Sequence, residues 1–260
     1  MLATWHNAAV DILLNVPWLF LLIAAFAGYF QTVTGFGLGM IVMGLAGGMG
    51  IAPVTSVAAV ISLMTLANCV VALPGRLHHV YWPSVASAAV AIVPSIMLGV
   101  LMLNYLSSSA SVIVRVLLGV VIIYGAAGLL LKPNQQKQVA GKGSFALFGG
   151  LSGFLGGLFG IAGPPLIYHY YRQPLEPVRI RNTLILLFAV TSGVRTLFVI
   201  SQGQMNADIL LLTAWAFPVV AVATWLGRRW PPPLSAQTMR RLVFVLLILI
   251  GASLIVAGLF

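Results

Sequence analysis

Hydrophobic positions run along this chain in long blocks, parted by short stretches that hold most of the charge. Apolar segments extend over about residues 17–33, 37–50, 54–73, 81–104 and 112–131, and again over 144–159, 163–171, 180–200, 207–227 and 242–260. Apolar blocks of about 18 or more residues read as membrane-crossing helices, because the hydrocarbon core is about 30 Å thick and a helix rises about 1.5 Å per residue. The stretches 37–50 and 163–171 are too short for that. Each reads as the second arm of a re-entrant or broken helical hairpin, because a glycine-rich break adjoins both: GYFQTVTGFGLG over 28–39 and GGLSGFLGGLFGIAGPP over 149–165. In the latter, Gly160, Gly163, Pro164 and Pro165 stop a helix, since proline lacks the N–H and clashes with the preceding turn. Backbone broken at membrane depth is tolerated where it is buried in protein or lines a polar cavity, so such breaks point to transport sites in secondary carriers.

The polar segment 132–143 divides the chain into a first membrane repeat, 1–131, and a second, 144–260. A shift of 125 residues places Gly28 on Gly153 and Gly35 on Gly160; one of 124 places Pro53 on Pro177 and Pro94 on Pro218. At 126, Ser109-Ala110 falls on Ser235-Ala236, Arg115 on Arg241 and Gly125-Ala126 on Gly251-Ala252. Matches in order with small drift argue for duplication. One hairpin and three spans per half is an odd number of crossings, which inverts the second copy. The fold expected is an all-α polytopic membrane protein of two inverted repeats, each a glycine-broken re-entrant helical hairpin plus three transmembrane helices.

Composition agrees: of 260 residues 61% are hydrophobic and 6% charged, with a net charge of +10. The basic residues form no basic helix and do not interleave with exposed aromatics, so nucleic acid is not the expected partner. Most of them fall in four short connections: Arg76; Lys132, Lys137 and Lys142; Arg172, Arg179 and Arg181; and Arg228, Arg229, Arg240 and Arg241. The positive-inside rule places all four in the cytoplasm, making 132–143 a cytoplasmic linker. Eight simple spans would put the Arg172 and Arg228 connections on the other side; two returning hairpins put all four on one side. Both termini and residues 50–54, 105–111 and 201–207 then face outward. The first residues lack the layout of a cleaved signal peptide. The single cysteine, Cys69, lies in an apolar run, and no Cys/His cluster has metal-ligand spacing, so neither metal nor cofactor is expected.

The acids are Asp11, Glu176 and Asp208, each at a connection or segment end. With no carboxylate mid-membrane to hold a cation or relay protons, the chemistry available suits an anion, held by free N–H groups at broken helices. Gly35, Gly37, Gly160, Gly163 and Pro164 are the candidate positions in the breaks, and Gly160 and Gly163 are both expected to need backbone freedom or close approach. Gly149, Gly153 and Gly157 also fit close helix packing of the small-xxx-small kind. Gln31, Thr32 and Thr34 could contact substrate or bond freed backbone. Arg195 lies well inside a predicted span, with Thr191 and Ser192 four and three residues before it on the same helix face. The matching segment carries Ser62, Thr65 and Asn68, and Asn68 falls on Ser192. Arg195 either faces the cavity between the hairpins and attracts the anion, or snorkels to the outer interface. His169, in LIYHYY, is either a proton carrier or part of an interfacial aromatic belt.

The paired motifs GYFQTVTGFGLGM and GFLGGLFGIAGPPLI, each opening a repeat of similar length, resemble the sulfite exporter TauE/SafE family, also called the toluene-sulfonate uptake permeases. The resemblance covers nearly the whole chain. It implies a multipass protein of the bacterial inner membrane that moves sulfite, sulfonates, sulfoacetate or related small anions. The first motif, Gly35-Phe36-Gly37-Leu38-Gly39, has no proline after it, so the two half-sites are not equivalent. The function expected is a secondary transporter of a small anion, with an anion channel as the alternative; the partners are that anion and the lipid bilayer, and nothing in the sequence sets an oligomeric state. An intramembrane enzyme is not expected. Gly150-Leu151-Ser152-Gly153 has a rhomboid-like form, but no histidine follows His169 and the earlier ones lie in a loop or near the N-terminus.

Overall fold

The computed structural model describes residues 17–48, 50–109, 111–130, 135–233 and 236–259; Asp11 and Lys132 lie outside them. The described residues form ten α-helices and no strand. In chain order these are α1 (Trp18–Thr34), α2 (Leu38–Val42), α3 (Val54–Ala72), α4 (Trp82–Ser109), α5 (Ser111–Leu130), α6 (Lys142–Phe159), α7 (Gly163–Tyr171), α8 (Pro177–Ser201), α9 (Ala207–Arg229) and α10 (Ala236–Leu259). Helices α3, α4, α8 and α9 are each long and apolar enough to cross a membrane. The protein is an all-helical, polytopic membrane protein.

Local sequence explains the boundaries. Pro177 opens α8, where a missing N–H costs nothing, and the Asn206 side chain caps α9 by accepting from Ile209 N at 2.9 Å. The short arm over 37–50 is not one α-helix: α2 widens into a π-helical turn over Met43–Gly47. Glycine permits the wider turn, because a Cβ on Gly48 would sit 2.2 Å from the Gly44 carbonyl oxygen.

Glycine also sets how the helices pair. A Cβ on Gly149, Gly153 or Gly157 would fall within 2.8, 2.8 and 2.4 Å of the carbonyl oxygens of Ala88, Ile92 and Ile96. These glycines therefore form a packing seam along which α6 runs beside α4 in the same direction. After the break α7 comes back, and the Tyr170 hydroxyl donates to Ser84 Oγ at 2.6 Å near the start of α4. In the first half α1 runs beside α9, with Gly28 against Val220 and Thr32 against Gly227. After its own break the chain turns back along α10, with Gly44 against Ile250 and Gly48 against Leu254. Each glycine break thus joins a longer helix to a short returning arm.

The described basic connections gather on one face. Arg228 donates to the carbonyls of Val71 and Pro74, both at 3.0 Å, tying the end of α9 to the end of α3. Tyr81 N donates to Thr183 Oγ1 at 2.9 Å, and the segment before α6 docks on the end of α7 through Gln136 N to Arg172 O at 2.7 Å and Ala140 N to Gln173 Oε1 at 2.8 Å.

Candidate functional site

Both breaks depend on glycine backbone. Gly35 and Gly37 have φ of +88° and +110°, and Gly160 has +69°, a region that side chains with a Cβ enter only at a cost. Gly35 N still bonds Gln31 O at 2.7 Å and Gly160 N bonds Gly156 O at 2.9 Å, so each long helix closes its last turn before the chain swings away. The two breaks meet in the middle of the protein, where a Cβ on Gly39 would lie 2.5 Å from the Gly160 carbonyl oxygen.

Beside this contact lies a cavity of about 30 Å³. The first break contributes Gln31, Gly37 and Gly39 to it, and the second contributes Gly156, Gly160, Ala162 and Gly163. Ser62 and Thr65 of α3 and Thr191, Ser192 and Arg195 of α8 complete its polar lining, with Met40, Ile161 and Phe188 as apolar neighbours. The Thr191 hydroxyl donates to Leu187 O at 2.8 Å and Ser62 to Ala58 O at 3.1 Å, bonds within their own helices that can be exchanged for bonds to a ligand.

Arg195 is 2% exposed. Its Nε donates to Gly157 O at 3.2 Å, while Nη1 is buried with no partner. Among the described residues no carboxylate pairs with it; Glu176 and Asp208 stand at the N-terminal ends of α8 and α9. Burying a cation without a counter-charge costs several kcal/mol, so this arrangement favours an anion arriving in the cavity.

The remaining predicted residues sit around the cavity without lining it. The amide of Asn68 is fully engaged: Oδ1 accepts from Gln31 Nε2 at 3.0 Å, and Nδ2 donates toward Gly28 O, Thr32 Oγ1 and Thr224 Oγ1 at 3.2, 2.8 and 2.7 Å. Gln31 in turn accepts from Leu38 N at 3.2 Å and so caps α2. Asn68 positions the first break through Gln31. Thr32 and Thr34 donate to carbonyls of their own helix, Gly28 O and Phe30 O, each at 2.8 Å. Gly35 packs on Arg181, whose Cγ would be 2.6 Å from an added Cβ, and Pro164 packs on Gly125. Pro164 and Pro165 occupy the first turn of α7 and carry no N–H, so the second break offers fewer backbone donors than broken helices generally do. Gly163 differs from Gly160 in lacking a positive φ.

Ser62, Thr65, Gly39 and Phe188 line the cavity although only the polar stripe on α3 pointed to the first two. Ser152 is buried and its hydroxyl donates to Ala162 O, which staples α6 to the break. His169 is 2% exposed, stacked on Phe148 at 4.3 Å and edge-on to Phe145 at 4.8 Å, so it belongs to no exposed interfacial belt. Its Nε2 faces Ser144 Oγ at 3.4 Å, and Ser152 bonds Ala162 O instead.

Comparison with known proteins gives a single direction. A family model described as "Sulfite exporter TauE/SafE" matches residues 20–254. The chain is 58% identical over 226 residues to a protein of Cupriavidus necator named "Probable sulfite/organosulfonate exporter TauE", covering 87% of this chain and 88% of that one. No solved structure matches. The chain belongs to the sulfite exporter TauE/SafE family, a family of membrane transporters rather than enzymes.

Proposed function

We propose that this protein is a secondary transporter that exports sulfite or a small organosulfonate across the bacterial inner membrane, binding the anion where the two broken hairpins meet. One observation carries the reading: a buried guanidinium, Arg195, with an unpartnered Nη1 in a cavity lined by hydroxyls and glycine backbone. The name of the Cupriavidus necator relative supports the substrate class.

The architecture is read as two inverted repeats, 1–131 and 144–260, joined by a cytoplasmic linker over 132–143. Supporting it, Gly35 and Gly160 both adopt positive φ at the break, and Pro94 and Pro218 lie inside α4 and α9 at matching positions. Inverted hairpins around one central site are the arrangement of alternating-access carriers.

The test is flux in proteoliposomes with sulfite, sulfoacetate, taurine and a carboxylate control, with and without a pH gradient. Saturable flux is expected; ohmic, unsaturable current would make the protein an anion channel. Arg195→Lys should keep partial transport with weaker apparent affinity, because charge survives while the guanidinium fork is lost. Arg195→Gln should remove most of the flux and leave thermal stability equal or higher, since it relieves a buried unpaired charge. Unchanged affinity in the Gln variant at matched membrane abundance would return the site to the hairpins alone.

A further inference from the structure

Arg195 lines two cavities. Besides the central one of about 30 Å³ it borders a larger cavity of about 340 Å³, formed between α3, α4, α8 and the start of α9. The larger one lies toward the face that carries residues 201–207, opposite the basic connections: Gln204 at its mouth is exposed, and Asn104 beside it is half-buried near the end of α4. Next to Arg195 its walls are apolar, with Ala59, Val100, Leu103 and Val199 exposed by only 3, 1, 1 and 4%. No carboxylate is among its described lining residues.

We propose that this second cavity is a tail subsite that determines which organosulfonates the protein accepts. It rests on the transport reading above. The central cavity has about a tenth of the volume of the larger one, so an organic substituent needs another space, and Arg195 is the residue shared by the two. With the SO₃ group on the guanidinium in the central cavity, a substituent on sulfur extends past Ala59 and Val199 into the larger space. Methylene groups lie against the apolar walls, and a terminal hydroxyl or carboxylate reaches the amides of Asn104 and Gln204 at the mouth. A terminal ammonium finds no carboxylate among the described residues that line the cavity; Asp208, next to Ile209 in sequence, is not one of them. The ligand class is therefore short alkanesulfonates with a neutral or anionic end, in preference to aminosulfonates.

The experiment measures saturable flux of sulfite, 2-hydroxyethanesulfonate, butanesulfonate and taurine in proteoliposomes and compares ratios within each variant. In the parent, 2-hydroxyethanesulfonate should be used about tenfold better than taurine, the low end of the discrimination that one small group supplies. Ala59→Leu should lower the ratio of sulfonate to sulfite flux about tenfold, and Ser56→Leu, one turn nearer the mouth, should lower it for butanesulfonate above all. Val199→Ala should raise the butanesulfonate ratio, a gain that misfolding cannot produce. Ratios within about twofold of the parent in Ser56→Leu and Val199→Ala overturn the tail subsite and leave sulfite transport standing. Absence of saturable sulfite flux in the parent overturns the transport reading, and the tail subsite with it.

Discussion

Gly39, Gly160 and Gly163 line the same cavity, yet a methyl group added to each meets different surroundings. At Gly39 it would stand 2.5 Å from the Gly160 carbonyl oxygen, a backbone atom that can yield only if the two breaks separate. At Gly160 it would meet Ala58 O at 3.2 Å in a left-handed conformation, which costs about 1–2 kcal/mol for a residue with a Cβ. At Gly163 the one tight contact would be Ile167 Cδ1, at 2.9 Å, the free end of a side chain that can rotate away, with Met40 Cε at an ordinary 3.7 Å. Gly39→Ala and Gly160→Ala should therefore lose most sulfite flux and unfold at lower temperature, while Gly163→Ala should keep both near the parent. Flux and thermal unfolding at matched abundance check this; equal damage at Gly163 and Gly39 would refute it. The expectation that Gly160 and Gly163 share one requirement came from their place in the same glycine-proline break, and residue identity there carries no φ. Asn68 shows another limit of spacing. A three-residue step falls short of a helical turn of about 3.6 residues, so Ser62, Thr65 and Asn68 rotate around α3 until Asn68 points to Gln31 and Thr224 instead of the cavity. Thr191, Ser192 and Arg195 stay together because both of their steps to Arg195, four and three residues, bracket one turn.

At the scale of elements, block length and the glycine-proline breaks made most of the helices legible, and the differences in kind among the described residues are the π-helical turn over Met43–Gly47 and a 3-10 turn over Leu77–His79. The π-helical turn follows from a close approach of Gly48 to Gly44 O, a backbone contact for which apolar pattern has no signal. The docking of 135–141 on the end of α7 was equally hidden, since it uses backbone N–H groups and the buried Gln173 side chain. It bears on how sidedness is tested, because Gln173 is fully buried and a cysteine there would be shielded from reagent. Glu176 and Gln202 are exposed at opposite ends of α8 and serve instead. In a Cys69→Ala background, Glu176→Cys should react only with reagent applied from the cytoplasm and Gln202→Cys only from outside. External labelling of Glu176→Cys would break the returning hairpins and the inversion built on them.

For the whole molecule, the asymmetry of charge bears on how the anion reaches the site. The net charge is +10, and the described basic connections lie on one face. Arg76 stands among them, with its guanidinium held below its usual range first by partial burial and then by Arg228. Arg181, packed on Gly35 at the first break, also lies within the field of Arg76. Like charges gathered on one face, with Glu176 the one described acid among them, raise the local concentration of anions, and at this face they lead toward the broken hairpin. Arg228 places its donors on the C-terminal end of α3, whereas among the described residues the Arg76 side chain makes no such tie and can be neutralised with little structural cost. Arg76→Gln should raise the apparent KM for sulfite presented at the basic face about threefold to tenfold at low salt, the scale of electrostatic steering. Because exposed charges act over only about 10 Å at 0.1 M salt and about 3 Å at 1 M, the difference should close as salt is raised. The KM for sulfite presented at the opposite face should not move, since the larger cavity bordered by Arg195 opens toward that face, away from Arg76. Inside-out and right-side-out vesicles compared across an ionic-strength series supply the measurement. A change in KM of the same size from both faces, or one that persists at 1 M salt, would mean that Arg76 shapes the site itself and that the basic face serves only to orient the protein in the membrane.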